Sequence, residues 1–335
     1  MYMGVYEIRD RDEAVSIMVD KANIAADTIK NNYDCCVSYY DEHLLEISIE
    51  QRRLLGEFEP ALQKDEFVMY LQPQVNRDGV ARGAEALVRW AHPSRGILTP
   101  YAFIDILENA GLIYKLDLYI WEKAAQKLAE WKEKGYGSYH ISVNISTKDF
   151  YIIDIYETFT GLINKYGIAA SNLHLEITEK TLMTDFEKNM NIIHKLQNVG
   201  FRMEIVHLEI TETTLMTDFE KNMNIIHKLQ GVGFRVEIDD FGSGYSSLNM
   251  LKDISADVLK IDMGFLRKSE NEVKGQDILE SIITLAGKIG MDVITEGVET
   301  KKQLDMLTMM GCHEFQGYYF SKPVPVSEFE EKYLV

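Results

Sequence analysis

The chain has 335 residues, of which 46% are hydrophobic and 26% are charged, and its formal net charge is −18. This length and composition indicate one large globular domain with room for a small appendage. The negative net charge argues against a protein that binds long nucleic acids through their phosphates, but it allows a small nucleotide held through metal ions.

Cysteine usage and hydropathy exclude two further classes. Cys35, Cys36 and Cys312 are too few and too unevenly spaced for a disulfide framework or a zinc site. The sequence shows no signal-peptide pattern and no apolar run of about 18 residues. We therefore expect a cytoplasmic chain with no membrane segment.

The amino-terminal part is predicted to contain a helix over 10–32, a strand within 34–41 and a charged helix over 42–63. Such a segment is short for an independent hydrophobic core. We interpret it as a connector or as the remnant of a neighbouring domain.

From Phe67 onward, short strands alternate with longer helices. The predicted helices include 116–134, 186–196, 276–289 and 301–310. The predicted strands are 67–72, 83–90, 140–146, 173–177, 234–239, 257–262, 291–296 and 313–320. This alternation predicts a parallel sheet covered by helices, and eight strands fit a closed (β/α)8 barrel.

Residues suited to metal and phosphate chemistry lie at or near the ends of these strands. They are Glu85, Asn144, Glu176, Asp239, Asp240, Lys260 and Glu296. Because side chains alternate along a strand, Asn144 and Lys260 lie opposite the apolar face of their strands. Several carboxylates in one place need a cation, and oxygen ligands suit Mg²⁺ or Mn²⁺. Barrel enzymes place their chemistry at the carboxyl ends of the strands.

One segment of the sequence occurs twice. Residues 174–205 recur as 207–238, and only the pairs Lys180/Thr213, Asn198/Gly231 and Met203/Val236 differ. A repeat array normally needs three or more units, and a ninth strand disturbs the relation between strand number and shear in a barrel. We therefore expect one copy to occupy the barrel, with the other looped out, disordered or exchanged with another subunit.

With these residues laid out, the chain resembles the EAL-domain family of cyclic di-GMP phosphodiesterases. The resemblance covers about residues 58–335 and rests on eight motifs in order: FVMYLQPQ, EALVRW, SVNIS, LEITE, DDFGSGYSSL, LKID, TEGVET and FQGYYFSKP. Residues 4–41 look like the tail of a GGDEF domain but lack its signature, so we expect no cyclase activity. The implied domains are a GGDEF-like remnant with a helical linker over 1–57 and an EAL phosphodiesterase domain over 58–335.

The resemblance implies a TIM-like barrel whose first strand is antiparallel, and it implies hydrolysis of one phosphodiester bond of cyclic di-GMP to linear pGpG. Two ions, Mg²⁺ or Mn²⁺, are implied as cofactors. The first would be held by Glu85, Asn144, the first glutamate of LEITE and Asp239. Asp239 would bridge to the second, which Asp240 and Glu296 also hold.

The remaining roles also follow from the resemblance. Lys260 would contact the attacking water and the phosphate, so Lys260, Asp240 and Glu296 form the implied catalytic group. Gln72 and Arg89 would bind the substrate, and Gln316 would lie at the edge of the second metal. The second glutamate of LEITE, Glu179 or Glu212, would anchor the loop over 240–247, which the family links to activation in a dimer.

The repeat leaves two assignments open. If Glu176 serves as the ligand, the barrel strand is 173–177; if Glu209 serves, the first copy is looped out. The second copy reads ETTLM, closer to the usual family pattern, and it keeps the usual separation from Asp239. These observations favour Glu209 and Glu212.

Two other functions remain open beside the active hydrolase. One is a cyclic di-GMP-binding module in which the repeat has displaced a ligand strand, because a misplacement of about 1 Å costs roughly 100-fold in rate. The other is a strand-exchanged homo-oligomer, possible because an extruded copy would expose apolar side chains.

Overall fold

The computed structural model describes residues 2–29, 36–75, 80–177, 181, 184–205, 227, 230, 237–241, 257–262, 272–298, 300–312, 314–315 and 322–334. It divides into two compact units, Met1–Phe67 with Trp90–Ala110, and Val68–Arg89 with Gly111–Val335. Within the described ranges, no helix combines the length and the apolar character needed to cross a bilayer.

Strands and helices alternate along most of the described chain. The strands are β1 Met3–Val5, β2 Val37–Tyr39, β3 Phe67–Val75, β4 Ala81–His92, β5 Gly96–Leu98, β6 His140–Ile145, β7 Leu173–Ile177, β8 Met203–Ile205, β9 Glu237–Phe241, β10 Val258–Asp262, β11 Asp292–Glu296, β12 Glu314–Phe315 and β13 Val324–Pro325. The α-helices are α1 Val15–Asp27, α2 Glu42–Gln63, α3 Ile104–Ala110, α4 Ile113–Glu133, α5 Asp149–Ile152, α6 Ile155–Tyr166, α7 Phe186–Val199, α8 Glu272–Lys288, α9 Lys301–Met309 and α10 Val326–Tyr333.

The first unit pairs β1 with β2 in parallel and packs around aromatic side chains. The ring centroids of Phe67 and Trp90 lie 4.7 Å apart, and those of Trp90 and Phe103 lie 5.8 Å apart. The helix α2 begins as predicted because the Asp41 carboxylate accepts a hydrogen bond from the Leu44 backbone N–H at 2.9 Å.

The helix α1 is shorter than the predicted span of 10–32. The Asp10 carboxylate accepts a hydrogen bond from the Asp12 backbone N–H at 2.9 Å, a local turn that precedes the helix. Short acidic side chains that bond to nearby backbone in this way compete with helix formation. The helix therefore starts only at Val15.

The second unit contains two groups of parallel strands. One runs β4-β6-β7-β8 in this order, and β3 and then β13 extend it on the β4 side. The other runs β12-β11-β10-β9. Among the described residues, β8 and β9 are the last strands of their respective sheets.

Successive side chains of β6 and β7 alternate between two faces of the sheet, as the sequence predicts. Ile141, Val143 and Ile145 are at most 2% exposed and lie on the face that the helices cover, with α4 packing against β6. Behind α4, the rings of Trp121 and Phe159 lie 4.6 Å apart. His140, Ser142 and Asn144 therefore occupy the opposite face of β6.

Candidate active site

Three neighbouring strands of the second unit, β4, β6 and β7, bring oxygen-bearing side chains together. The Asn144 side-chain amide donates a hydrogen bond to Glu85 Oε1 at 3.0 Å, which joins β6 to β4. Asn144 is in register with Glu176 on the adjacent parallel strand β7. Neighbouring strands lie about 4.8 Å apart, so all three side chains share one small region.

A buried residue of α4 forms a hydrogen bond to the backbone of β6, the strand that carries Asn144. The Trp121 indole Nε1 donates a hydrogen bond to the Asn144 backbone carbonyl at 3.0 Å, and Trp121 is 1% exposed. Asn144 is thus held in place by a buried aromatic residue of α4, while its side chain lies on the other face. Pre-organisation of this kind is what a metal ligand or catalytic group requires.

A buried carboxyl group begins α5, the short helix that follows β6. Asp149 is fully buried, and its Oδ2 accepts a hydrogen bond from the Ser146 backbone N–H at 2.8 Å. Burial raises the pKa of Asp149, while hydrogen bonds from Asp117 and Ser146 act in the opposite direction without cancelling it. The loop after Asn144 therefore depends on an acidic group in an environment that disfavours its charge.

The second group of strands carries the other predicted residues. Ile238 is opposite Leu259, and the next pair is Phe241 opposite Ile261, so the backbones of Asp239 and Asp240 both oppose Lys260. This two-against-one arrangement is a β-bulge, a feature that often adjoins active sites because it re-aims side chains. Lys260 is 8% exposed, and lysines are rarely buried so deeply unless they are paired.

The remaining carboxylate of this group, Glu296, ends β11. Its backbone is in register with Asp262 of β10. The strands β9, β10 and β11 are parallel and adjacent, so Asp239, Asp240, Lys260 and Glu296 all belong to the carboxyl-terminal parts of neighbouring strands. This is the edge at which parallel α/β sheets bind ligands.

Two predicted substrate-binding residues lie on the same side of their strands as the site. Gln72 shares a face of β3 with Gln74, whose Oε1 is 2.8 Å from His140 Nε2. Arg89 shares a face of β4 with Glu85, and its guanidinium lies 5.5 Å from the centre of the Tyr70 ring. Arg89 also donates a hydrogen bond to the Val88 backbone carbonyl at 2.8 Å.

The strand beside β6 belongs to the first copy of the repeat. Residues of β7 pair with β6 from Leu173 to Ile177, and β8, which closes the first copy, pairs with β7. The strand pairing therefore places Glu176 beside Asn144, whereas Glu209, which the sequence favoured, lies outside the described residues. The two copies alternate polar and apolar residues identically, so this alternation does not distinguish them.

Other predicted residues are not covered by the structure. Four of them lie outside the described residues: Glu179, Glu209, Glu212 and Gln316. Among the described side chains, His, Cys, Asp and Glu form no cluster of three or more that would hold a metal ion. The described part of the expected ligand set consists of Glu85, Glu176 and the amide Asn144.

Sequence reasoning missed the supporting residues of the site. Trp121 and Asp149 were not singled out, although Trp121 lies on the apolar stripe of a helix and Asp149 begins the short helix after a strand. Neither of these two positions indicates a role until the part of the fold that the residue contacts is known. The bulge opposite Lys260 was also missed, because it depends on two strands that are about 20 residues apart in the sequence.

Comparison with known proteins agrees with this arrangement of strands and motifs. The EAL domain family matches residues 56–208 and again 204–323. PdeR of Escherichia coli, a cyclic di-GMP phosphodiesterase, is 31% identical over 273 residues, which are 82% of this chain and 36% of PdeR. MucR of Pseudomonas aeruginosa, a bifunctional diguanylate cyclase and cyclic di-GMP phosphodiesterase, is 28% identical over 305 residues, 91% of this chain and 39% of MucR.

A solved structure shows the same similarity in three dimensions. The MucR phosphodiesterase in complex with c-di-GMP is 29% identical, with a TM-score of 0.56, over 83% of this chain and 99% of that one. The chain spans about two fifths of the length of the two curated relatives. Because the family matches most of the sequence, the chain belongs to the EAL domain family.

Proposed function

We propose that this chain hydrolyses one phosphodiester bond of cyclic di-GMP and releases linear pGpG. The observation that carries the proposal is the contact between Asn144 and Glu85, with Glu176 in register beside them. PdeR is a cyclic di-GMP phosphodiesterase, and the MucR phosphodiesterase structure contains c-di-GMP, which supports the same substrate here.

The donor atoms fit two hard divalent cations. Glu85, Glu176 and Asn144 offer carboxylate and amide oxygens, which suit Mg²⁺ or Mn²⁺ better than softer metals. Asp239 would complete the first ion's ligands and bridge to the second, with Asp240 and Glu296. When bound, such a pair of ions lowers the pKa of a water and neutralises charge on the phosphate oxygens.

The protein's own groups would supply the rest of the mechanism. Lys260, opposite Asp239 and Asp240, would donate a charged hydrogen bond to the phosphate oxygen where negative charge develops. Arg89 has the planar guanidinium that suits bidentate contact with a phosphate. Gln72 would hydrogen-bond the substrate from β3, and Gln316 would lie beside the second ion. Glu179 would anchor the loop over 240–247 if the first copy serves, or Glu212 if the second does.

The proposal extends to the fold. Only residues 76–80 separate the neighbouring strands β3 and β4, and a parallel connection needs a dozen or more residues. This supports an antiparallel first strand in a (β/α)8 barrel. The family match begins at residue 56, which supports a boundary near 57/58. The parallel pair β1–β2 with α1 is our candidate for the GGDEF-like remnant over 1–57.

One observation favours a second candidate, a cyclic di-GMP-binding module with impaired catalysis. The strand β8 occupies the place next to β7, whereas β9, which carries Asp239, pairs with β10 among the described residues. The strand that closes the first copy thus occupies the position next to the strand of Glu176. The family match also breaks into two overlapping stretches within the repeat.

The test is an assay of the purified chain with cyclic di-GMP and Mg²⁺ or Mn²⁺, with products separated by chromatography. We expect pGpG from the parent, none after chelation of the metal, and a loss of at least about 100-fold in Glu85→Ala. Arg52→Gln, on the exposed side of α2, is the matched control and should keep full activity.

Two other outcomes of this assay would contradict the proposed hydrolysis. Nucleotide binding without cleavage would identify the binding module. Neither binding nor cleavage would show that the repeat has disrupted the site. A mass that rises with concentration in light scattering would instead indicate a homodimer or a strand-exchanged oligomer.

A further inference from the structure

A cavity of about 630 Å³ opens at the amino-terminal ends of β4, β6, β7 and β8. Its volume lies within the range of small-molecule sites. The polar side chains that matter here are Arg82, Ser138, His140, Ser171, His174 and Arg202. His140 precedes Asn144 by four residues of extended strand, about 13 Å, so this cavity lies at the other end of the strands from the candidate active site.

The wall of this cavity is basic in a strongly acidic protein. Among the described residues, its lining includes two arginines and two histidines and no aspartate or glutamate, although the chain carries a net charge of −18. Arg82 and Arg202 are both exposed, and neither forms an ion pair with another described residue. Guanidinium groups in such a setting are suited to bidentate contacts with phosphate.

The two histidines form a fixed stack rather than a mobile surface. Their ring centroids lie 3.9 Å apart with an angle of 8° between the planes. His140 Nε2 donates a hydrogen bond to Gln74 Oε1 at 2.8 Å, and His174 Nε2 donates one to the Ser171 backbone carbonyl at 3.2 Å. Each imidazole is therefore held by a separate hydrogen bond.

A glycine makes room for this stack. Gly83 is directly opposite His140 in the pairing of β4 with β6. A Cβ atom at position 83 would lie 2.3 Å from His140 Nε2, a distance that no real side chain tolerates. The His140 ring can lie across β4 only because residue 83 has no side chain, so the backbone of β4 is part of how the cavity is built.

Helix α7 ends at the cavity, and two of the carbonyl groups in its last turn are hydrogen-bonded locally. A helix carboxyl terminus carries partial negative charge on its last carbonyl groups. Here the Gly200 N–H bonds to the carbonyls of Gln197 and Leu196, and the Phe201 N–H bonds to that of Leu196. These carbonyls are thereby satisfied within the turn, and Arg202 follows immediately. Phe201 adds a buried apolar surface to the lining.

We propose that this cavity binds a phosphomonoester of nucleotide size. Arg82 and Arg202 contact the phosphate, and the Ser138 and Ser171 hydroxyls donate further hydrogen bonds to it. The cavity is much larger than a phosphate ion, so the remaining volume takes the organic part of the ligand beside Phe201. The site does not depend on the proposed hydrolysis, because it shares no residue with the carboxylate end of the strands.

The test is titration calorimetry of the full chain with adenosine 5′-monophosphate in the presence of EDTA. Chelation removes the divalent cations that would hold a phosphate at the carboxylate site. We expect one molecule bound per chain, and Arg82→Gln and Arg202→Gln should each weaken binding by about tenfold or more through loss of charged hydrogen bonds. Arg52→Gln, an exposed arginine of the other unit, should bind like the parent.

Two further ligands identify which part of the molecule is recognised. Adenosine, which lacks the phosphate, should bind at least about tenfold more weakly than the monophosphate. Inorganic phosphate should also bind more weakly, because it fills little of the cavity. The proposal is overturned if the monophosphate gives no binding heat, if both arginine variants bind like the parent, or if inorganic phosphate binds as tightly as the monophosphate.

Discussion

The two ends of β6 and β7 have opposite chemistry on one and the same face. Asn144 and Glu176 lie at the carboxyl ends, and His140 and His174 lie at the amino ends in the same alternation. One end offers oxygen atoms that attract cations, and the other offers imidazoles with arginines beside them. The comparison teaches that two strands of five or six residues can carry unlike chemistry at their two ends.

The two ends also differ in how they are held. At the carboxyl end, Trp121 binds the backbone of Asn144, and Asn144 binds Glu85. At the amino end, the His140 ring occupies the space that a side chain at Gly83 would fill. The acidic end depends on hydrogen bonds from neighbouring elements, whereas the basic end depends on a missing side chain. Substitutions should therefore break the two ends in different ways.

The largest effect is expected from the glutamate of the acidic end. Glu176→Gln keeps the shape of the side chain but removes its charge, so we expect phosphodiesterase activity to fall by about 100-fold or more. Glu209→Gln, the matched change in the second copy, should leave activity within about threefold of the parent. The measurement is the rate of pGpG release, with Mn²⁺ affinity as a second readout that does not need turnover.

The pair of variants decides which copy serves. Loss of activity only in Glu209→Gln would reverse the assignment that the strand pairing supports. Equal, partial losses in both variants would mean that the two copies share the position.

A smaller effect is expected at the basic end. Gly83→Ala places a methyl group against His140, and overpacking of this kind costs about 1–3 kcal/mol of unfolding free energy. Gly161→Ala is a matched control within α6, where the added Cβ meets no atom within 4 Å. It should stabilise the chain by about 0.5–1 kcal/mol, because alanine is the better helix former. Urea unfolding curves would measure both; equal effects would contradict the crowding at Gly83.

The smallest effect concerns pH and the buried acid behind Asn144. Burial raises the pKa of Asp149 in the folded state above 3.8, the ordinary value for this carboxyl group, so the folded state holds this proton more tightly than the unfolded state. Its contribution to stability is present below pH 3.8 and is lost as pH rises through the folded pKa. Asp149→Asn retains an oxygen for the Ser146 N–H but carries no charge.

The variant should therefore gain stability relative to the parent as pH increases. We expect similar melting temperatures near pH 4 and a higher one for Asp149→Asn near pH 8. Thermal unfolding followed by circular dichroism across this range measures the difference. A difference that stays constant with pH would show that the charge of Asp149 does not matter to folding.

The sequence predicted those elements whose bounds are set by interactions between residues close together in the chain. The strand β7 and the helix α2 have the predicted bounds, since the first follows strict alternation and the second begins at the side-chain cap of Asp41. Glu85, Asn144 and Glu176 were also found as candidates, because their motifs place them near strand ends. The structure brings Glu85 and Asn144 into contact and sets Glu176 in register beside Asn144.

The features that depend on distant partners escaped prediction. The stack of His140 on His174 joins two strands about 30 residues apart, and only the pairing of β6 with β7 brings the rings together. The choice between Glu176 and Glu209 also lies beyond local sequence. Two near-identical segments have the same propensity to form a strand, so tertiary pairing alone selects one of them.

The pairing of β8 with β7 bears on how such a chain can change over generations. The first copy runs from one strand through a helix to the next strand, and the second repeats that unit 33 residues later. A crossover between the two gene segments would delete one complete unit and leave Phe-Arg-Met-Glu-Ile or Phe-Arg-Val-Glu-Ile followed directly by the two aspartates. One recombination event would thus yield a chain with a single copy of the unit. The shortened chain is accordingly the variant against which this one should be compared.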